Sequence, residues 1–182
     1  MRLLKSLIIL ILSFAIIVFI VFYFYQKSVS DNLDHKNKNV TELWNNFKSD
    51  LKTRDSLLAV SISNRDSLKY WLENSIRERK TKGNNPELIF YEYKINQFIM
   101  THFLNQKQIL NFNIQLNNDI SKYNSMTREY NEYISIFPNF IVAKNHNYYR
   151  AKYFDINYGN INKDPIQKSK ELPEWAKGID TN

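Results

Sequence analysis

A chain of 182 residues has room for one domain of ordinary size plus an appendage, since single domains run about 100 to 200 residues, so a multidomain machine is excluded. Three Gly and four Pro exclude a collagen-like or linker-dominated chain, and 43% hydrophobic with 15% aromatic residues excludes wholesale disorder; zero Cys removes disulfides, thiolate metal sites, iron–sulfur clusters and cysteine nucleophiles. The net charge of +7 is dispersed, which argues against nucleic-acid binding and for a solvated surface with some attraction to anionic headgroups.

Leu7 to Tyr25 is an apolar run whose only polar interior member is Ser13. Nineteen helical residues reach about 28 Å, close to a hydrocarbon thickness of about 30 Å. The aromatic end, Phe22 to Tyr25, suits the headgroup layer, so the run is expected to be a single membrane span. Ser28 and Ser30 stand at the spacing of a signal-peptidase site, but the run is longer than the about 7 to 15 residues of a signal h-region. Arg2, Lys5 and the terminal amine favour a cytoplasmic amino end, while Lys27, Lys36 and Lys38 argue the other way; the expectation is an extracytoplasmic domain on a single-pass cell-membrane protein.

From Asp31 to Lys82 there is neither Pro nor Gly, and Val40, Trp44, Phe47, Leu51, Leu58, Ile62, Leu68, Leu72 and Ile76 recur at helical steps. The spacing predicts one long amphipathic helix, with the stems of Arg54 and Arg65 covering apolar neighbours. Arg77, Arg79, Lys80, Lys82 and Gly83 mark its end; Asn85, Pro86 and Glu87 mark the start of the next. A second Pro-free, Gly-free stretch from Glu87 to Phe137 carries a heptad seam, Leu116, Ile120, Tyr123, Thr127, Tyr130, Ile134 and Phe137. The polar patch from Asn105 to Asn113 leaves open whether this stretch is one helix or two. After Pro138, the residues Ile141, Val142, Tyr148, Tyr149, Tyr153 and Phe154 predict a short aromatic helix, and from Ile156 the chain reads as an extended tail with Trp175 as its anchor. The expected fold is all-α: residues 1–27 an amino-terminal transmembrane helix, 28–155 an elongated antiparallel bundle of three to four helices with coiled-coil-like seams, and 156–182 an extended carboxy-terminal tail.

The string Tyr123-Asn124, Tyr130-Asn131, Ile134, Phe137-Pro138, Ala143-Lys144, Tyr148 and Tyr153-Phe154-Asp155 resembles the carboxy-terminal signature of the LemA family. Trp44, Phe47, Leu51, Arg54, Leu57 and Leu58 are similar to positions in that family's first long helix, while the family's Gly before the aromatic is here Asn147. The resemblance, over about half the chain, implies an amino-terminal transmembrane helix, an antiparallel bundle and no established reaction, and it implies a short amino end outside the cell, against the charge count. Tyr123, Asn124, Tyr130, Asn131, Phe137, Pro138, Tyr148, Tyr153 and Phe154 are the candidate seam. Tyr and Asn at heptad spacing are expected either to fix register as an interhelical polar ladder or to form a recognition surface.

Residue patterns for catalysis are lacking. His35, His102 and His146 show no ligand spacing, and no nucleophile elbow or phosphate-cradling loop occurs. Asp50, Asp55, Asp66, Glu73, Glu78, Glu129 and Glu132 read as surface acids paired with Lys and Arg along the helices. An Asp119/Glu129 dyad would be about 15 Å apart along a helix. The aromatic and basic stretch Lys144 to Lys152 suits lipid headgroups, stacked bases or closure of the bundle, and Lys168 to Trp175 suits a peptide that docks elsewhere or straps across the bundle. The expectation is a non-enzymatic scaffold or adaptor that uses the bilayer and a protein partner or self-association through its seams, with no cofactor, metal, nucleic acid or small-molecule ligand; an extracytoplasmic ligand sensor and an enzyme subunit of unfamiliar design are the alternatives.

Overall fold

The computed structural model describes residues 2–60, 66–81, 84–103 and 107–171. Six helices occur among them and no strand: α1 (Arg2–Val60), α2 (Asp66–Arg79), α3 (Pro86–His102), α4 (Lys107–Ser135), α5 (Asn139–Asn145) and α6 (Pro165–Glu171). The protein is all-α, with one amino-terminal helix long and apolar enough to cross a membrane. The large apolar side chains from Leu7 to Phe24 are each between 47% and 71% exposed, so this part of α1 finds no cover within the protein.

The apolar run and the first amphipathic stretch are one helix, and the stretch predicted to run to Lys82 leaves helix after Arg79. It is helix in α1 as far as Val60 and in α2 from Asp66 to Arg79, and residues 61–65 between them lie outside the described residues. The expected positions of Ile62, Arg65, Lys82 and Gly83 lie outside the described residues, as does the Pro173–Trp175 part of the tail. Downstream there are two helices. Asn85 caps α3 by accepting from the Leu88 N–H at 2.7 Å, with Pro86 at the first helical position, and the Phe103 N–H closes the helix on the Ile99 carbonyl.

The predicted aromatic helix is shorter than its sequence pattern, since α5 ends at Asn145. Asn147 takes the left-handed conformation, φ 58°, and the Tyr148 and Asn147 N–H groups bond back to the carbonyls of Ala143 and Lys144. This Schellman stop sends Tyr148 to Phe154 out as non-helical chain. The expected tail contains α6, which packs on α3.

The chain divides into two compact units. In the first, Met1–Asn39 with Arg128–Ala151, Val29 and Leu33 of α1, Tyr130 and Ile134 of α4, and Val142 and Ala143 of α5 are buried. Lys36 pairs with Glu129, Tyr148 donates to Asp34, and Tyr25 donates to Asn139. In the second, Val40–Thr127 with Lys152–Asn182, Leu58, Leu68, Leu72, Ile95, Ile99, Phe103 and Ile109 form one apolar cluster, and Trp44, Phe47, Tyr123, Phe154 and Tyr158 form an aromatic one.

Candidate functional site

The polar residues of the seam do form a ladder, but its other side is not a helix. In the second unit Asn124 donates to the Phe154 carbonyl at 2.8 Å and accepts from the Phe154 N–H at 3.0 Å, and Asn117 treats Tyr158 the same way at 2.9 and 2.8 Å. Asn96 of α3 accepts from the Gly159 N–H and donates to the Asn160 carbonyl, both at 2.9 Å. In the first unit Asn131 holds Ala151 by the same two bonds, each 2.8 Å. A primary amide carries the donor and acceptor needed to match the N–H and C=O of one residue, so Asn117, Asn124 and Asn131 each substitute for a neighbouring strand. Seven residues of helix rise about 10 Å, roughly what three to four extended residues cover, so in the second unit Asn117 and Asn124, seven apart, meet Tyr158 and Phe154, four apart. The side chains of that segment complete the grip. Phe154 enters between Trp44 and Phe47 at ring separations of 5.7 and 5.0 Å, and Tyr123 donates to the Lys152 carbonyl at 2.7 Å. At Gly159, φ is +76° and a Cβ would lie 2.9 Å from Asn113 Nδ2, so a side chain here would be strained and would displace the Asn113 amide.

Under this segment lies a buried charge cluster. Arg54 is 1% exposed and presents a fork to Glu92, at 2.7 and 3.1 Å, and to Asp55, at 3.0 and 2.6 Å. Arg79 bonds the second Asp55 oxygen and the Ser75 carbonyl; Ser75 and Tyr158 donate to Glu92. Two cations face two anions, so the cluster is formally neutral. Burial alone would raise the Glu92 carboxyl, but Arg54, then Arg79 and the bonds from Arg54 and Ser75, hold it down at about 2. Burial and the Glu92 charge push the Tyr158 hydroxyl well above its ordinary range, keeping it a proton donor. Arg54 is therefore not a surface-reaching side chain over apolar neighbours, and Asp55 is not a surface acid: a cation this deep requires matched carboxylates. Glu92 was not among the expected residues. Its signal is its place on the apolar stripe of α3, four residues after Leu88 and three before Ile95.

The remaining candidates distribute as follows. Tyr123 and Tyr130 are buried, and burial, followed by Tyr148 and Asp34, pushes the Tyr130 hydroxyl up to about 12. Tyr148 is half-buried on Asp34, whereas Tyr153 is exposed and contributes its carbonyl to Asn84. Phe137 is 74% exposed and leaves the seam, because α4 ends at Ser135 and the chain turns at Pro138. Asp119 has a different neighbour from the one its helix offers. It lies against Asp50 of α1, and burial and that second carboxylate, opposed by Lys122, raise it to about 6.

Among the described residues no three His, Asp or Glu side chains are placed to hold a metal ion. A groove of about 470 Å³ in the second unit is lined by Trp71, Lys94, Gln97, Phe98, His102 and Ile161, with the His102 ring stacked 4.1 Å from Phe98. Its walls are mainly apolar, with Lys94 as a cation at the edge; the arrangement suits holding a flat apolar group more than proton transfer or nucleophilic attack. No family model, curated protein or solved structure matches this chain.

Proposed function

We propose that the protein is a single-pass membrane-anchored scaffold or adaptor without catalytic activity, related to the LemA proteins, with its helical units on the extracytoplasmic face. The observation that carries this reading is α1 itself: an exposed apolar run from Leu7 to Phe24 continues without a break into the residues that pack the core, Val29, Leu33, Trp44 and Phe47. The helix that would meet lipid is thus the one on which the rest is built. The family relation is supported at Asn147, where the LemA pattern carries Gly and this chain has the non-glycine residue best able to adopt φ 58°. The absence of catalytic motifs and the internal satisfaction of Arg54, Asp55, Arg79 and Glu92 agree with a structural role. Arg2 and Lys5, ahead of the apolar run, support the extracytoplasmic orientation.

Crosslinking in intact membranes followed by mass spectrometry tests the reading: a reproducible neighbour or a defined self-assembly is expected, and recovery of monomer alone refutes it. Protease access to Lys168 in sealed cells tests the orientation. A ligand sensor is the second reading, favoured by the Trp71–Phe98–His102 groove; it requires the melting temperature of the full chain to rise with some small aromatic or apolar compound.

A further inference from the structure

The turn from α4 into α5 carries an apolar surface that nothing in the first unit covers. Ile136, Phe137, Phe140 and Ile141 are all exposed, with the two phenyl rings 6.2 Å apart. Four neighbouring large apolar residues in the open require an occupant. Their height along α1 is fixed by a series of contacts within the same unit. Lys36 meets Glu129 and the Tyr133 ring, Asp34 meets Tyr148, and Tyr25 donates to Asn139, the first residue of α5. From Lys36 to Tyr25 the helix rises about 16 Å, and over that distance its partners progress to the α5 turn. Tyr25 is the last residue of the apolar run. The exposed patch therefore stands beside the boundary between the run and the polar part of α1, next to the exposed Tyr23 and Phe24.

The charges agree with that position. From Ile134 to Ala151 there is no Asp or Glu, while Lys144 and Arg150 are present. Aromatic and aliphatic side chains bordered by Lys and Arg match the layer where acyl chains give way to anionic headgroups.

We infer that the α5 turn is a second membrane contact, with Ile136, Phe137, Phe140 and Ile141 inserted into the interfacial layer of the same bilayer that holds α1. This inference rests on the reading of Leu7 to Tyr25 as a span. A one-helix attachment would then become a two-point attachment, restricting the tilt and rotation of the first unit in the bilayer.

The native chain has no Cys, so single-cysteine variants can carry an environment-sensitive fluorophore. Full-length Phe137→Cys, Phe140→Cys, Ile17→Cys and Ser49→Cys proteins would be labelled and placed in phosphatidylcholine/phosphatidylglycerol vesicles containing a nitroxide near the top or near the end of the acyl chain. The labels at 137 and 140 are expected to be quenched at least twofold more by the shallow nitroxide than by the deep one, the label at 17 to favour the deep one, and the label at 49 to respond to neither. If 137 and 140 behave like 49 while 17 is quenched, the second contact is refuted and the span stands. If 17 also behaves like 49, the span itself is refuted. A label at 137 shielded from water yet unquenched by either lipid would assign the patch to protein contact and overturn the inference.

Discussion

Replacing Glu92 by Gln removes one charge from a cluster that is neutral only with all four members present. The carboxylate accepts four hydrogen bonds, two from Arg54 and one each from Ser75 and Tyr158, and its side chain has no exposure. A glutamine amide oxygen can satisfy about two of these donors, while its NH2 group points a donor at a guanidinium or a hydroxyl. Two charge-assisted bonds at about 1.5 to 3 kcal/mol each are lost and one buried cation is left without its partner, for an expected cost of about 3 to 5 kcal/mol. Urea unfolding of the full chain in detergent micelles, followed through Trp44 and Trp71 fluorescence, measures it. The double variant Arg54→Met/Glu92→Met leaves Asp55 matched to Arg79 and is expected to cost less than either single variant. A loss below about 1 kcal/mol for Glu92→Gln, or additive single costs in the cycle, would refute the argument that this cluster acts as a closed set.

Asn124→Ala strips Phe154 of both backbone partners and is expected to cost about 2 to 3 kcal/mol, with faster hydrogen exchange at the Phe154 amide as its local signature. Gly159→Ala should destabilise by about 1 to 3 kcal/mol through the positive φ and the Asn113 approach, readable as a lowered urea midpoint. Glu92, held at about 2 against an ordinary 4.5, contributes stability that is complete above pH 4.5 and lost as pH falls toward 2, so acid unfolding should be shifted upward in pH by Glu92→Gln. Asp119 has the opposite sign: its carboxyl is raised to about 6 from 3.8, so the folded chain binds the extra proton and stability declines as pH rises from about 4 to 6. The group is largely solvent-screened, which keeps the effect near 1 kcal/mol, and Asp119→Asn should abolish that part of the pH dependence of melting.

The elements that announced themselves were those with an uninterrupted physical signal: the apolar run from Leu7, the Asn85-Pro86 start of α3, and the buried seam from Leu116 to Ile134. Periodicity overreached after Pro138, where Tyr148, Tyr149, Tyr153 and Phe154 keep an apolar rhythm but lie in non-helical chain beyond the end of α5 at Asn145. The ladder was half legible. Heptad-spaced Asn announces a repeated polar partner, but the partner is main chain, and peptide groups have no side-chain signature for a sequence to display. Glu92 and Asp55 were hidden for another reason: an acid among Lys and Arg looks the same on paper whether its cation lies along its own helix or arrives from a distant one.

Because the asparagines of α3 and α4 clasp peptide groups, they are indifferent to most of the residues they secure. Phe154, Ile156 and Tyr158 point inward and are constrained by shape, whereas Lys152 and Tyr153 are exposed and offer only their carbonyls, to Tyr123 and Asn84. Two kinds of mutational tolerance therefore coexist in this stretch. The outward letters of the 151–160 segment are free to drift under whatever selection acts on that surface, while the clasping amides admit no replacement, since even glutamine would carry the same chemistry one methylene too far.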